Sequence, residues 1–163
     1  MLTTLNDLTQ RTRQHHGIEH ATIHLLSARV PGQRFSGLSD PLGFTLFGEV
    51  DEAIMRGAVG DALLRMQAGE QGLAIHPNCG TNLVVTGVMV TVAALIGGAG
   101  RNRNLFDKFM TILLLVLPAL IFSRPLGLRL QGYTTTGNVA DRWVADIRPI
   151  QLGPIRAHRV IFD

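Results

Sequence analysis

Two long uncharged runs limit what this chain can fold into. Residues 80–100 contain no charged side chain, and residues 109–123 read FMTILLLVLPALIFS. A helix needs roughly 20 mostly apolar residues to cross a bilayer, and the second run reaches that length when its apolar flanks between residues 105 and 128 are included. Pro118 is tolerated in a membrane helix when a neighbouring group takes up the freed carbonyl. The two runs predict a two-helix membrane hairpin joined by a loop at residues 101–104.

The alternative is a pair of buried helices in a soluble protein, although apolar core runs are usually shorter than the first run. No signal peptide is visible, because the first long apolar run begins near residue 80. We therefore expect an integral protein of the bacterial inner (cytoplasmic) membrane with cytoplasmic termini. Basic residues on the two sides of the hairpin balance each other, so the positive-inside rule does not determine the orientation.

Charge and composition narrow the partners. The net charge is +3, and the cations are scattered rather than gathered into a basic block, which argues against nucleic acid as a partner. The expected partner is the lipid bilayer. Small residues in the first run also favour close helix contact in a homo-oligomer or larger membrane complex, although glycine is common in membrane helices anyway. The small residues of the first run are Gly87, Ala93, Ala94, Gly97 and Gly98.

The remaining segments predict a small mixed cap. Apolar spacing predicts a helix over residues 5–29 with Leu5, Leu8, Ile18, Ala21 and Leu25 on one stripe. A β-hairpin over residues 35–50 and a second amphipathic helix from Asp51 follow, then an extended piece at residues 73–75. The fold class is an α+β membrane protein: an N-terminal cap at 1–79, the hairpin at 80–130, and a C-terminal segment at 131–163 that returns to the cap as one or two strands.

The first helix carries the strongest chemical signal, the motif H-x-x-E-H at residues 16–20. His16, His20 and His24 lie one turn apart on one face, with Glu19 beside them. Two imidazoles one turn apart suit zinc or another divalent metal, and an adjacent carboxylate can act as a third ligand or as a general base.

A second cluster lies at the entrance of the first membrane run. His76 and Cys79 offer an imidazole and a thiolate on a tight Pro/Gly turn, so either side chain can complete a shell begun by His16 and His20. Cys79 can also be read as a nucleophile with His76 as its base, but no third orienting group is evident. As the only cysteine it cannot form an internal disulfide.

Structural explanations compete with these roles. His15 and His24 can be ordinary surface residues of the helix, Glu19 can pair with an arginine, and Cys79 can be a small buried hydrophobe. His158, on the C-terminal strand between two arginines, can equally face solvent or belong to a site. Glu70 is expected to be solvated at a helix end.

Three ordered motifs carry a resemblance. HGIEH at residues 16–20, HPNCGT at 76–81 and QGYTT at 131–135 resemble the HGxEH, HPxCGT and QxxTT motifs of bacterial integral membrane proteins of unknown function. The resemblance implies a membrane location and importance for His16, Glu19, His20, His76 and Cys79, but no reaction. The chain departs from the pattern at residues 137–139, which lack the acidic residues expected there.

The leading hypothesis is an integral membrane metalloprotein that acts as a metal-dependent, peptidase-like hydrolase at the membrane surface, with Glu19 as its catalytic residue. The alternative is a non-catalytic membrane protein with a structural metal or cofactor-docking site, as a subunit of a larger complex. A third hypothesis is metal handling, in which the site exchanges copper or zinc.

Overall fold

The computed structural model describes residues 5–77, 79–100 and 104–163. Two compact units divide the chain: the first comprises Met1–His76 with Thr134–Asp163, and the second comprises Pro77–Tyr133. The described residues form four α-helices and four strands, a mixed α+β fold. Their bounds are α1 (Leu5–Arg29), β1 (Ser36–Asp40), β2 (Gly43–Phe47), α2 (Glu52–Gln67), α3 (Gly80–Gly98), α4 (Leu105–Thr134), β3 (Val144–Leu152) and β4 (Ile155–Phe162), with a 3-10 helix at Gln71–Ala74.

The sheet of the first unit joins the two ends of the chain. Its strand order is β1-β2-β4-β3, and every neighbouring pair is antiparallel. Strand β2 pairs with β4 so that Phe44 faces Val160 and Leu46 faces His158. The prediction that the C-terminal tail returns to the N-terminal part as strands is therefore confirmed.

The core of the first unit lies between this sheet and two helices. Helix α1 packs against α2, against β1 and β2, and against the 3-10 helix. Helix α2 begins at the expected place because the Asp51 carboxylate accepts a hydrogen bond from the Ala53 amide. The buried face of α2 matches the predicted stripe: Met55, Ala58, Val59, Ala62, Leu63 and Met66.

The second unit is a pair of long apolar helices, α3 and α4. Both are long and apolar enough to cross a membrane, with mean hydropathies of 1.8 and 2.1. Gly97 brings them together, because a Cβ at this position would lie 2.7 Å from Ile112 Cα. At the other end Gly127 lies against Asn82, and Thr86 donates a hydrogen bond to Ser123 Oγ at 2.9 Å. The predicted connecting residues 101–103 lie outside the described part of the chain.

The structure corrects two local predictions. The predicted extended piece is wrong, because 3-10 hydrogen bonds from Leu73 N to Glu70 O and from Ile75 N to Gly72 O turn the chain there. Leu5 and Leu8 are exposed, since the core partners of α1 cover only its later turns. Gly97, one of the small residues named for helix contacts, packs against Ile112 inside the hairpin, and the homo-oligomer or larger complex stays a prediction.

Two adjacent leucines of α2 give a matched test of this core. Leu63 is 6% exposed and belongs to the core cluster, whereas Leu64 is 64% exposed. We expect Leu63→Ala to lower the free energy of unfolding by about 2–5 kcal/mol, since it leaves a cavity, and Leu64→Ala to change it by less than about 0.5 kcal/mol. Thermal unfolding of the full chain in detergent measures both, and equal effects would contradict the placement of α2.

A candidate metal centre on the first helix

The histidines of the first unit gather beside α1. The ring centroids of His16 and His20 lie 4.4 Å apart, and those of His24 and His76 lie 4.6 Å apart. His20 and His76 are 5.8 Å apart by the same measure. Four predicted ligand residues thus form one cluster, although His76 is more than fifty positions along the chain from the α1 residues.

Backbone carbonyls orient the two central imidazoles. His20 Nδ1 lies 2.7 Å from Ala74 O, and His16 Nδ1 lies 3.1 Å from Thr134 O. A carbonyl oxygen only accepts, so each Nδ1 carries the hydrogen and each Nε2 keeps the lone pair that a metal requires. One ring nitrogen of His16 lies within 4.8 Å of one of His20. This is the protonation pattern of histidines that bind metal through Nε2.

His24 and His76 differ from this pair. The Nε2 atom of His24 donates to Ile75 O at 3.0 Å, so its hydrogen sits on the opposite nitrogen from that of His16 and His20. Burial, with the nearby His24 and His20, lowers the pKa of His76 from 6.5 to about 4. His76 is therefore neutral near pH 7 and able to act as a ligand.

Glu19 lies on another side of α1. Its carboxylate is buried, and its Oε2 accepts a hydrogen bond from Ser39 Oγ at 2.5 Å. A Cβ at Gly37 would lie 2.4 Å from Glu19 Cδ, so strand β1 packs directly on this carboxyl group. The roles of Glu19 as ligand or general base stay predictions.

Cys79 belongs to the second unit and starts α3. It is buried, and its Sγ accepts a hydrogen bond from Thr81 N at 3.4 Å as the N-cap of the helix. It follows His76 by three residues, so the chain itself limits how far its thiol can lie from that imidazole.

The expectation for His15 as a surface residue is wrong. Its side chain is fully buried, its Nδ1 donates to Asp40 O at 2.8 Å, and its ring stacks on Phe162 with centroids 4.9 Å apart. Burial lowers the pKa of His15, chiefly by desolvation. His15 therefore fastens α1 to the strands and faces away from the other imidazoles of α1.

His158 is buried on strand β4. It lines a cleft of about 800 Å³ beside the start of α2, and its Nδ1 has no hydrogen-bond partner among the described residues. Burial lowers the pKa of His158; the nearby Glu52 and Asp51 oppose this shift and Arg56 adds to it. Glu70 pairs with Arg65 at the end of α2, which is a surface ion pair.

Sequence reasoning missed the groups that orient the imidazoles. They are main-chain carbonyls, which every residue carries, so residue types do not reveal them. The Thr-rich segment of the third motif was an available sequence signal for these contacts with α1. Thr134 O accepts the hydrogen bond of His16, and Thr136 N donates to Arg13 O.

Comparison with known proteins places this chain among proteins of unknown function. The profile of a family described as "Domain of unknown function (DUF6391)" matches residues 11–147. An uncharacterised protein of Picosynechococcus sp. (strain ATCC 27264 / PCC 7002 / PR-6) is 43% identical over 96 residues, which cover 53% of this chain and 46% of the relative. The match thus spans less than half of that relative. No solved structure matches the chain significantly.

The lowered pKa of His158 predicts a pH dependence of stability. Unfolding restores the pKa of His158 to about 6.5. Below that pH the imidazole is therefore protonated more readily in the unfolded chain than in the folded chain. Its contribution to stability is present above pH 6.5 and is lost as the pH falls, by at most about 1.4 kcal/mol per pH unit. We expect a smaller loss of stability between pH 7 and 5.5 in His158→Gln than in the wild type. Thermal melts across this range measure it; identical slopes would contradict the burial of His158.

Proposed function

This chain belongs to the family of the domain of unknown function DUF6391, and on that premise we propose that it is an integral membrane metalloprotein whose ligands are His16, His20 and, by its tether to His76, Cys79. Zinc is the metal that fits best. Two imidazole nitrogens and one thiolate form a donor set typical of zinc, and such a set also accepts copper. The family description adds no reaction, so the proposal depends on the chemistry of the side chains.

The observation that carries the metal site is the protonation of His16 and His20. Both rings give their Nδ1 hydrogen to a backbone carbonyl, which presents Nε2 in the form that binds a metal. The helix holds the two rings one turn apart, so little ordering is lost when both bind one ion. His20 and Ala74 O are both buried, which protects this arrangement from competition by water.

Cys79 is the proposed third ligand because of its tether and its environment. It follows His76, whose ring lies against those of His20 and His24, by three residues. Its position as the N-cap of a long helix places Sγ at the positive end of the helix dipole, where Thr81 N donates a hydrogen bond to it. A metal binds the thiolate form, so binding would release the thiol proton.

The membrane location rests on the exposure of α3 and α4. In the most apolar windows of the two helices only 17% and 6% of the residues are buried within the chain. The core helix of a soluble protein would be mostly buried by its own chain. These exposed apolar faces are therefore better explained by contact with lipid or with partner subunits. We propose that the hairpin spans the bacterial inner membrane, with both termini on the cytoplasmic side.

The reaction we propose is metal-assisted hydrolysis of a peptide or lipid-linked substrate at the membrane surface. A zinc ion with three protein ligands keeps one open position and supplies Lewis acidity there. Glu19 is the proposed general base. Its carboxylate is buried, and the hydrogen bond from Ser39 Oγ holds its orientation, as the fixed position of a general base requires.

One observation favours the non-catalytic alternative. The rings of His76 and His24 crowd beside His20, and a neutral His76 is an available fourth ligand. A shell filled by four protein ligands leaves no position for substrate and is typical of structural zinc. The two functions share the metal and differ in whether the shell stays open.

Metal content tests the site. We expect detergent-purified wild type to hold about one zinc per chain, and His16→Ala, His20→Ala and Cys79→Ser to lose it. Removing a group that only orients a ligand already costs about 10–100-fold in affinity, so removing a ligand costs more. His158→Gln is the matched control and keeps its zinc. Elemental analysis of each folded variant gives the ratio; a wild type without metal would sink the proposal.

Glu19→Gln separates the two roles of this carboxylate. As a general base, Glu19 is needed for turnover but not for metal, so the variant keeps its zinc and loses hydrolysis by about 10²–10⁴-fold. Zinc-loaded chain is assayed with a fluorogenic peptide and a fluorogenic lipid ester, beside Ser39→Ala as a variant that keeps the carboxylate. Equal zinc loss in Glu19→Gln and His20→Ala would make Glu19 a ligand. No hydrolysis by loaded wild type would favour the structural alternative.

A further inference from the structure

A second cleft lies entirely within the helical hairpin. It has a volume of about 520 Å³ and opens between the first turns of α3 and the second half of α4. The residues that matter here are Asn82, Leu83, Thr86, Leu120, Ser123 and Arg124. Of the proposed metal ligands, only Cys79 lines this cleft.

The polar floor of the cleft is already satisfied. Thr86 Oγ1 donates to Ser123 Oγ at 2.9 Å, and Asn82 Nδ2 donates to Pro77 O at 2.7 Å. Gln131 Nε2 donates to Asn82 Oδ1 at 3.0 Å. These bonds link the two helices and fix the shape of the cleft. Because the polar groups of the floor are already bonded to each other, the floor determines which ligand fits but adds little to its affinity.

Arg124 is the exception. Its side chain is exposed, lines the cleft and forms no ion pair with any residue that the structure describes. The sequence of residues 77–133 contains one acidic residue, Asp107. Asp107 lies seventeen positions earlier on the same helix, which is about 25 Å at 1.5 Å per residue. The cleft therefore holds a positive charge that its own unit does not neutralise.

The rim of the cleft is apolar. Leu83 on α3 is 77% exposed and Leu120 on α4 is 46% exposed. Beyond them α4 continues with Ile121 and Phe122, which are also exposed. A molecule that pairs with Arg124 and also covers the apolar rim must carry an anionic group and an apolar body.

We propose that this cleft binds the headgroup of an anionic phospholipid, with the phosphate at Arg124 and the acyl chains along Leu83 and Leu120. A guanidinium forms paired, charge-assisted hydrogen bonds with a phosphate. Basic pockets between membrane helices near the interface bind such headgroups. The inference rests on the membrane placement proposed above and is independent of the metal.

The test uses the full chain reconstituted in nanodiscs that contain equal amounts of phosphatidylglycerol and phosphatidylcholine. Native mass spectrometry then counts the lipids retained by wild type, Arg124→Gln and Arg129→Gln. Arg129 is the matched control, because it is exposed on the same helix and does not line the cleft. We expect wild type and Arg129→Gln to retain phosphatidylglycerol preferentially, and Arg124→Gln to lose about tenfold of that preference, as expected for loss of a charged hydrogen bond.

Four outcomes would overturn the inference, and the last of them also bears on the proposed function. Equal retention of both lipids by wild type, or equal losses in the two arginine variants, removes the lipid site and leaves the proposed function standing. Displacement of the lipid by millimolar inorganic phosphate makes this a site for the free anion. Release of the chain from membranes by alkaline carbonate removes the membrane placement itself, and with it the membrane part of the proposed function.

Discussion

Hydrogen bonds from imidazoles to backbone carbonyls organise the first unit. Each of four histidines on α1 points a ring nitrogen at a main-chain oxygen of another segment. The pairs are His15 with Asp40, His16 with Thr134, His20 with Ala74 and His24 with Ile75. The oxygens belong to the end of β1, the end of α4, the last residue of the 3-10 helix and the residue after it. Three separate segments are thus tied to α1, and a buried carbonyl such as that of Ala74 costs about 1–3 kcal/mol when it is left unpaired.

The same bonds prepare the chemistry. When a ring donates its Nδ1 hydrogen to a carbonyl, the neutral ring keeps its lone pair on Nε2, the form that a metal ligand requires. The fold thus sets the tautomers of His16 and His20. His24 is bonded through the opposite nitrogen and His15 lies on another side of α1, so histidines on one helix acquire different roles.

Glu19 shows how one helix serves two neighbours. The histidine row faces the 3-10 helix, whereas Glu19 is held by Ser39 and packed against Gly37 of β1. The hydrogen bond and the close packing fix the position of this carboxylate on the side of α1 that faces β1. Helical spacing places Glu19 next to the histidine row in sequence, but the spacing does not say which neighbour fixes its carboxylate.

Local patterns predicted much of the fold. The stripe on α2, the Asp51 cap and the extent of α1 follow from helical periodicity and capping, which depend on neighbours in sequence. The extended piece predicted at residues 73–75 is wrong at Leu73 and Ala74, because a short apolar piece is compatible with either an extended strand or a 3-10 turn. Tertiary contact decided between them, since the turn places Ala74 O where His20 donates to it.

The sequence by itself determined the two apolar helices and the row of imidazoles on α1, because run length and a spacing of four are properties of the chain alone. Only the tertiary structure decided that His15 is a core residue, that His76 joins the row, and which nitrogen of each ring carries the hydrogen. These outcomes depend on burial and on main-chain oxygens from distant segments. Every residue carries such an oxygen, so only the fold shows which one meets a given imidazole.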